Sequence, residues 1–192
     1  SHLDYQDKLN SSDVSLCDGV GVLIASKLMR KGPVERFSGV DFIEEFCKKG
    51  SELPLSMGFL GGRGGVAEAA AECLHKKYPW IQIAFAGASW PQQGKPDYPQ
   101  KHIDMLFVAF GAPKQEEWIT EHLPSLPVSA AVGVGGAVDY FAGNVRRAPA
   151  FVRAAGFEWL FRLINQPWRI KRQLALVRFT LLVLKQTVFH IL

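Results

Sequence analysis

Cysteine is scarce in this chain of 192 residues, which contains three of them, Cys17, Cys47 and Cys73. Three widely spaced cysteines are too few for a disulfide framework or a zinc site, so the sequence fits a reducing compartment. Long apolar runs are lacking as well, because Arg178 and Lys185 break the apolar stretch near the carboxyl end before it reaches the roughly 18 residues of a membrane-spanning helix. The sequence therefore predicts neither a disulfide scaffold nor a transmembrane helix, although the tail could lie on a membrane.

Familiar nucleotide-binding and metal-binding motifs are absent. There is no Gly-x-Gly-x-x-Gly loop, and the predicted second strand ends in Phe85-Ala86-Gly87 without a ribose-binding carboxylate, which disfavours a nicotinamide-dependent dehydrogenase. There is no Gly-x-x-x-x-Gly-Lys-Ser/Thr loop either, so a P-loop kinase or ATPase is disfavoured. No Asp-x-Asp, His-x-x-x-His or Cys/His cluster offers a divalent metal its ligands at a familiar spacing. Phosphate charge would then be neutralised by arginines and helix dipoles.

Carboxylates are rare after residue 145. From Arg146 to Leu192 the chain has nine cationic residues and one carboxylate, Glu158, for a formal charge of +8, whereas the whole chain carries +4 and the preceding residues therefore −4. A slightly acidic body with a strongly basic, apolar tail indicates an anionic partner, with nucleic acid, a phosphorylated ligand and an anionic membrane as candidates. We expect one domain over residues 1–145 and a basic, amphipathic helical appendage over residues 146–192.

Short β-branched or aromatic runs alternate with helical patterns in the first 145 residues. Strand then helix recurs, which predicts an α/β fold with helices on both faces of a parallel sheet. The predicted strands are residues 14–17, 55–60, 81–86, 103–110 and 130–134, and the predicted helices include residues 24–28, 39–47 and 66–77. Since 48% of the residues are hydrophobic, the chain can bury the core that such a domain needs.

Glycine turns follow the predicted strands. They include Gly61 and Gly62, then Gly111, then Gly135 and Gly136. In an open parallel sheet these turns all lie at the carboxyl edge, where ligands bind and where helix amino termini attract phosphate. A single glycine turn is explained equally well by tight chain reversal, but several turns at one edge favour a ligand, and we expect a nucleotide.

Several motifs in this chain resemble those of a known family. They resemble the motifs of the WecG/TagA/CpsF bacterial glycosyltransferases and occur in the same order along the chain. The matching segments are Asp18-Gly19-Val20-Gly21-Val22, Gly39-Val40-Asp41, Phe59-Leu60-Gly61-Gly62, Phe110-Gly111-Ala112-Pro113-Lys114-Gln115-Glu116-Glu117-Trp118-Ile119, Gly133-Val134-Gly135-Gly136-Ala137-Val138-Asp139, Arg147-Ala148-Pro149 and Gly156-Phe157-Glu158-Trp159-Leu160-Phe161-Arg162-Leu163. The resemblance covers about residues 13–185.

This resemblance implies a fold and an activity. The fold is a Rossmann-like parallel sheet over residues 1–145, and the activity is an inverting, metal-independent transfer with no cofactor beyond a UDP-sugar donor. The sugar would be of hexosamine type, such as N-acetylmannosamine, its uronic acid or a related hexose. The acceptor would be a polyprenyl-diphosphate-linked sugar at the inner face of the bacterial cytoplasmic membrane, in cell-wall polymer or exopolysaccharide synthesis.

The family pattern usually has a further strand and helix before the region that matches Asp18. We therefore expect this chain to be a fragment or a truncated relative that lacks an amino-terminal strand and part of the acceptor pocket. Ser1-His2 is either the end of a family motif or a vector scar.

Asp18 is the predicted general base. Inverting glycosyl transfer needs a carboxylate to accept the proton of the acceptor hydroxyl as that oxygen attacks the anomeric carbon. The residue is predicted to end a strand before Gly19, and the resemblance implies the same role. The alternative is an aspartate that caps the helix after Gly19.

Four further residues are candidates for donor binding. Asp139 could accept hydrogen bonds from ribose or uracil, or be an ordinary aspartate at a helix start. Lys114 and Gln115 could bind phosphate and sugar hydroxyls, or be a solvated pair in a first helical turn. Arg36 could reach a phosphate, although a lone arginine is more often a surface residue.

The carboxyl-terminal appendage has apolar residues near helical spacing, with cations among them. One interpretation is a helix pair that rests on anionic lipid and brings Arg162, Arg169 and Arg172 to the diphosphate. The alternative is an apolar stripe that packs on the domain or on another subunit, and a homo-oligomer stays open. A nucleic-acid-binding module is disfavoured because the cations alternate with Leu and Val. A catalytically incompetent fragment that binds UDP or a membrane is the remaining alternative.

Overall fold

The structure is a computed structural model that describes residues 2–30, 32, 34–93, 99, 101–167 and 170–189. Its described strands are β1 (Ser56–Gly61), β2 (Gln82–Gly87), β3 (Ile103–Ala109) and β4 (Val128–Gly133). Its described helices are α1 (His2–Asn10), α2 (Val20–Leu28), α3 (Gly39–Lys49), α4 (Val66–Lys77), α5 (Lys114–His122), α6 (Val138–Phe141), α7 (Ala150–Ala154), α8 (Glu158–Asn165) and α9 (Ile170–Phe189). Short 3-10 turns lie at Leu123–Ser125 and Gly135–Ala137.

Two compact units make up the chain. The sheet unit contains Ser1–Ser15 and Gly39–Arg146, and the helical unit contains Leu16–Ser38 and Arg147–Leu192. Leu16–Ser38 thus groups with the carboxyl-terminal segment, whereas the sequence predicts a single domain boundary after residue 145. That division into domains stays a prediction.

The four described strands form one parallel sheet in the order β2-β1-β3-β4. Every residue of β1 is buried, which is typical of a parallel strand covered on both faces. Along β1, alternate side chains point to opposite faces of the sheet, so Phe59 and Leu60 belong to two different cores. The prediction of a Rossmann-like α/β fold with a parallel sheet is confirmed.

Helices cover both faces of the sheet. On one face Ile43 of α3, Leu74 of α4 and Val138 of α6 join Phe59 and Phe107 in a single apolar core. Each such fully buried side chain contributes about 1.5–3 kcal/mol to stability. On the other face, apolar side chains of α5 and the segment that follows it pack against the sheet, namely Trp118, Ile119, Leu123 and Leu126. Because the described strands are all parallel, their carboxyl ends lie at one edge of the sheet.

The predicted strand over residues 14–17 is wrong. The segment belongs to no sheet among the described residues, and Val14 and Leu16 are exposed. Its main-chain contact is a hydrogen bond from the Phe37 N–H to the Cys17 carbonyl, 2.9 Å long. Among the described residues, no strand pairs with this segment. Asp18 therefore follows an irregular segment.

The helical unit contains α2, α7, α8 and α9. Helix α2 contacts α9, and its first residue, Val20, lies close to Gly156 at the turn between α7 and α8. Gly156 has a φ of 79°, and an added Cβ there would approach Val20 Cγ1 to 3.3 Å. The predicted helical structure of the carboxyl-terminal segment is confirmed by α8 and α9, whereas its division from the rest of the chain as an appendage stays a prediction. Among the residues that the structure describes, no helix combines the length and the apolar character needed to cross a bilayer.

Candidate functional site

The first glycine turn follows β1 at the carboxyl edge of the sheet. Gly61 and Gly62 have φ values of 101° and 83°, a region that glycine reaches without strain. A Cβ on Gly61 would lie 2.8 Å from the Phe110 ring, and one on Gly62 would lie 2.9 Å from Val66 Cβ. Glycine is therefore required at both positions, by the backbone conformation of the turn and by the neighbouring side chains. Helix α4 begins a few residues later, with its amino terminus at this edge of the sheet.

Gln115 connects the turns after β3 and β4. Its side-chain oxygen accepts hydrogen bonds from the N–H of Gly111, at 3.1 Å, and from the N–H of Gly135, at 3.0 Å. The side chain is buried, and a Cβ on Gly133 would lie 2.8 Å from Gln115 Cδ. Gln115 therefore fixes the backbone of two neighbouring turns, a role that the sequence alone did not indicate. Direct contact between Gln115 and a sugar stays a prediction.

The other predicted residues of the sheet unit lie at the same edge. Lys114 is exposed in the first turn of α5, directly after β3. Asp139 is half-buried in the first turn of α6, and Gly136 lies in the 3-10 turn between β4 and α6. Because β3 and β4 are adjacent and parallel, these residues and Gln115 share one edge of the sheet. Their contacts with a ligand stay predictions.

Glu116 contacts Gln115 and has no role predicted from the sequence. Its Oε1 accepts a hydrogen bond from Gln115 Nε2 at 2.9 Å. Its Oε2 is buried and has no hydrogen-bond partner among the described residues. Burial, and then the negative charge of Glu116, raise the pKa of Tyr5 on α1, which packs against α5. Gln115 thus donates a hydrogen bond to a half-buried carboxylate.

The helical unit places Asp18 beside Arg36 and Glu158. Arg36 Nε donates a hydrogen bond to the Asp18 carbonyl oxygen at 2.9 Å, and its Nη2 lies 3.9 Å from Asp18 Oδ1. The same Nη2 donates to Glu158 Oε2 at 2.5 Å. The Asp18 side chain is 68% exposed, whereas those of Arg36 and Glu158 are 22% and 11% exposed. Asp18 is thus a solvent-accessible carboxylate whose main chain is held by an enclosed ion pair.

Arg36 was predicted to reach a phosphate, but in the structure its guanidinium contacts carboxylates. Glu158 was not predicted to take part in the site at all. The available signal was that Glu158 is the one carboxylate in the basic segment after residue 145. A lone acid in such a segment is a candidate partner for a specific cation.

The three arginines predicted to bind the diphosphate belong to the helical unit. Arg162 is half-buried on α8. Arg172 lies in α9, and its side chain is outside the described part of the chain; Arg169 lies outside the described residues altogether. Their contact with phosphate stays a prediction.

Where the structure describes the chain, no three His, Cys, Asp or Glu side chains come together in a group that could hold a metal ion.

A parallel sheet with glycine turns at its carboxyl edge is typical of enzymes that bind nucleotides. The chain belongs to the glycosyl transferase WecG/TagA/CpsF family, whose family model matches residues 1–191. This match confirms the family resemblance and makes the protein a glycosyltransferase.

Curated relatives cover nearly the same length of chain. A protein of Bacillus subtilis (strain 168) is 33% identical over 186 residues, which are 95% of this chain and 73% of the relative. A protein of Bacillus spizizenii is 33% identical over 184 residues, or 94% and 72% of the two chains. A protein of Staphylococcus aureus (strain MW2) is 31% identical over 182 residues, or 90% and 69%. All three are named N-acetylglucosaminyldiphosphoundecaprenol N-acetyl-beta-D-mannosaminyltransferase.

Proposed function

We propose that the protein transfers an N-acetylmannosamine-type sugar from a UDP-sugar to an N-acetylglucosamine carried on a polyprenyl diphosphate, in bacterial wall-polymer or exopolysaccharide synthesis. The observation that carries this proposal is the similarity, over nine-tenths or more of the chain, to relatives named for that transfer. The glycine turns at the carboxyl edge support a nucleotide donor, because main-chain N–H groups and helix amino termini there suit a diphosphate.

Asp18 is the proposed general base. Its carboxylate accepts the proton of the acceptor hydroxyl while that oxygen forms a bond to the anomeric carbon and the bond from that carbon to UDP breaks. The configuration inverts, and UDP leaves with the electron pair. The exposed side chain of Asp18 supports this role because an incoming hydroxyl can reach it.

The leaving UDP carries a diphosphate whose charge must be balanced. We propose that Lys114 and the arginines Arg162, Arg169 and Arg172 supply positive charge, with Asp139 at the ribose or uracil. Arginine binds phosphate through paired N–H groups, which suits a diphosphate without a metal ion. The proposed reaction is therefore metal-independent.

The proposed location is the inner face of the cytoplasmic membrane, with anionic lipid as the partner of the helical unit. Large apolar side chains are exposed on both appended helices, namely Trp159, Leu160 and Ile164 on α8 and Phe179, Leu181, Leu182 and Leu184 on α9. The exposed cations Arg178 and Lys185 lie among those of α9. Apolar area together with interleaved cations suits an anionic bilayer surface. Binding to anionic vesicles should weaken with added salt, because surface charges are screened within a Debye length.

The test is an assay with a panel of UDP-sugars and a lipid-diphosphate N-acetylglucosamine acceptor. We expect UDP-N-acetylmannosamine to release UDP and to yield a product heavier by one N-acetylhexosamine. Binding of UDP without transfer from any donor would instead identify a fragment that binds nucleotide and does not catalyse. Transfer that also requires an added divalent metal would contradict the mechanism.

A further inference from the structure

We propose that Glu158 is a positioning residue for catalysis, which acts through Arg36 on the segment that carries Asp18. The inference rests on the proposed role of Asp18 as the general base. It assigns part of the catalytic arrangement to the first turn of α8, a helix that the sequence indicated as a membrane contact.

The geometry forms a chain of three residues. Glu158 Oε2 accepts a hydrogen bond from Arg36 Nη2, and Arg36 Nε donates to the Asp18 carbonyl. The guanidinium group is planar and rigid, so a carboxylate that fixes Nη2 also fixes the direction of Nε. Glu158 and Arg36 lie 122 positions apart in the sequence, and the contact therefore depends on the fold of the helical unit.

The segment with Asp18 needs such support because it is irregular. Residues 14–19 belong to no helix or strand, and no sheet ladder fixes their backbone. Phe37, next to Arg36, donates its N–H to the Cys17 carbonyl at 2.9 Å. Two successive residues, Arg36 and Phe37, thus hold Cys17 and Asp18 in place, and Glu158 holds the first of them.

Charge supplies a second reason for the pairing. Arg36 Nη2 lies 3.9 Å from Asp18 Oδ1, so its positive charge lies beside the proposed base. The Glu158 carboxylate, in shorter contact with the same nitrogen, offsets that charge. Loss of Glu158 would therefore remove one of the contacts that orient the guanidinium and leave its positive charge beside the base without that offset.

The test compares Glu158→Gln with Glu158→Asp and with a matched control, Glu35→Gln. Glu35 is exposed and adjacent to Arg36, so the control removes the same charge without the buried contact. We expect Glu158→Gln to lower kcat by roughly 10- to 100-fold, as small displacements of reacting groups do. The affinity for UDP should stay within about threefold, because the change affects the base and not the nucleotide. Glu158→Asp should recover part of the rate, and Glu35→Gln should match the parent.

A double-mutant cycle with Arg36→Met separates positioning from general loss of structure. If Glu158 acts through Arg36, Glu158→Gln should change kcat less than about twofold in the Arg36→Met background. An equal loss of kcat in both backgrounds, or a normal kcat for Glu158→Gln, would overturn the proposal. Thermal melting of each variant controls for folding; should Glu158→Gln not fold, Glu158→Asp with and without Arg36→Met gives the same comparison.

Asp18→Asn in the same assay distinguishes failure of this inference from failure of the proposed function. Transfer that survives Asp18→Asn removes the base assignment and with it the role given to Glu158. If Asp18→Asn is inactive while Glu158→Gln is as fast as the parent, the positioning role alone is wrong.

Discussion

Gln115 accepts a hydrogen bond from the N–H of Gly135, which lies 20 residues later in the chain, at 3.0 Å. The same side-chain oxygen also accepts a hydrogen bond from the N–H of Gly111. The two turns that follow the adjacent strands β3 and β4 are therefore fixed by one buried amide. A candidate nucleotide site whose walls are main-chain N–H groups depends on such a contact, because glycine turns have no side chains of their own to hold them.

The first prediction concerns this contact. Gln115→Leu should lower the free energy of unfolding by about 2 kcal/mol or more, since a buried N–H that loses its acceptor costs about 1–3 kcal/mol. Affinity for UDP should fall as well, because the turns lose their fixed geometry. Urea denaturation and titration calorimetry measure the two effects. The control is Gln82→Leu, at an exposed position on β2; a Gln115→Leu variant that behaves like this control would contradict the account.

The second prediction concerns pH and lies at the opposite, amino edge of the sheet. The Ser56 N–H and hydroxyl donate to Asp104 Oδ2 at 2.8 and 2.7 Å, and these hydrogen bonds lower the pKa of Asp104 below its usual value. A carboxylate with a lowered pKa in the folded state stabilises the protein above the pKa of the unfolded chain, about 3.9. That stabilisation is lost as the pH falls through the folded-state pKa.

Asp104→Asn should therefore have a lower free energy of unfolding than the parent at neutral pH. The difference in free energy between the two proteins should narrow as the pH falls below about 3.9. Chemical denaturation over a pH series measures it. UDP affinity should not change, because Asp104 lies at the end of β3 remote from the glycine turns. A stability difference that is independent of pH would show that the ionised carboxylate is not the source.

The third prediction concerns the basic appendage. Replacing Arg162, Arg169 and Arg172 by Gln should slow transfer to a short, water-soluble acceptor, where membrane capture has no effect. Each lost charged hydrogen bond to phosphate should reduce transition-state stabilisation by about 1.5–3 kcal/mol. Binding to vesicles should persist in part, because the exposed apolar side chains of α8 and α9 are unchanged.

A charge-matched control for that triple variant replaces Lys48, Lys49 and Lys76 by Gln. These lysines form exposed ion pairs with neighbouring glutamates in the sheet unit, and such surface pairs contribute little. If the arginine variant transfers sugar to the soluble acceptor as fast as this control, the appendage does not bind the diphosphate.

The fourth prediction concerns metals. Incubation with EDTA should leave the rate of transfer unchanged, because we propose that arginine and lysine side chains and main-chain N–H groups balance the diphosphate charge. The measurement is UDP release before and after chelation. A rate that falls on chelation and returns with Mg²⁺ or Mn²⁺ would contradict the proposed metal-independent mechanism.

Most of the sheet unit could be predicted from the sequence. The apolar runs of β1, β2, β3 and β4 are bounded by glycine or proline, and the helix over Val66–Lys77 was predicted with the bounds that the structure has. Helix α1 was not predicted, because its sequence, His2 to Asn10, is polar and has no clear apolar face. The strand predicted over residues 14–17 is not formed, since a short apolar pattern does not reveal whether a partner strand is available.

The site was predicted less completely than the fold. Turn glycines and Asp18 stand out in a sequence because their chemistry is local. The roles of Gln115 and Glu158 come from contacts with residues 20 and 122 positions away, and no local pattern encodes them. The ion pair of Arg36 with Glu158 was likewise not predicted, and its contact with a phosphate stays a prediction.

The most direct test of the central claim is the Asp18→Asn variant in the assay with a UDP-sugar and a lipid-diphosphate acceptor. An amide keeps the shape of the side chain and cannot accept the proton, so we predict that turnover falls by about 10²- to 10⁴-fold while UDP affinity stays within a few-fold of the parent. Turnover near that of the parent would contradict the assignment of Asp18 as the base on which this account of the transferase depends.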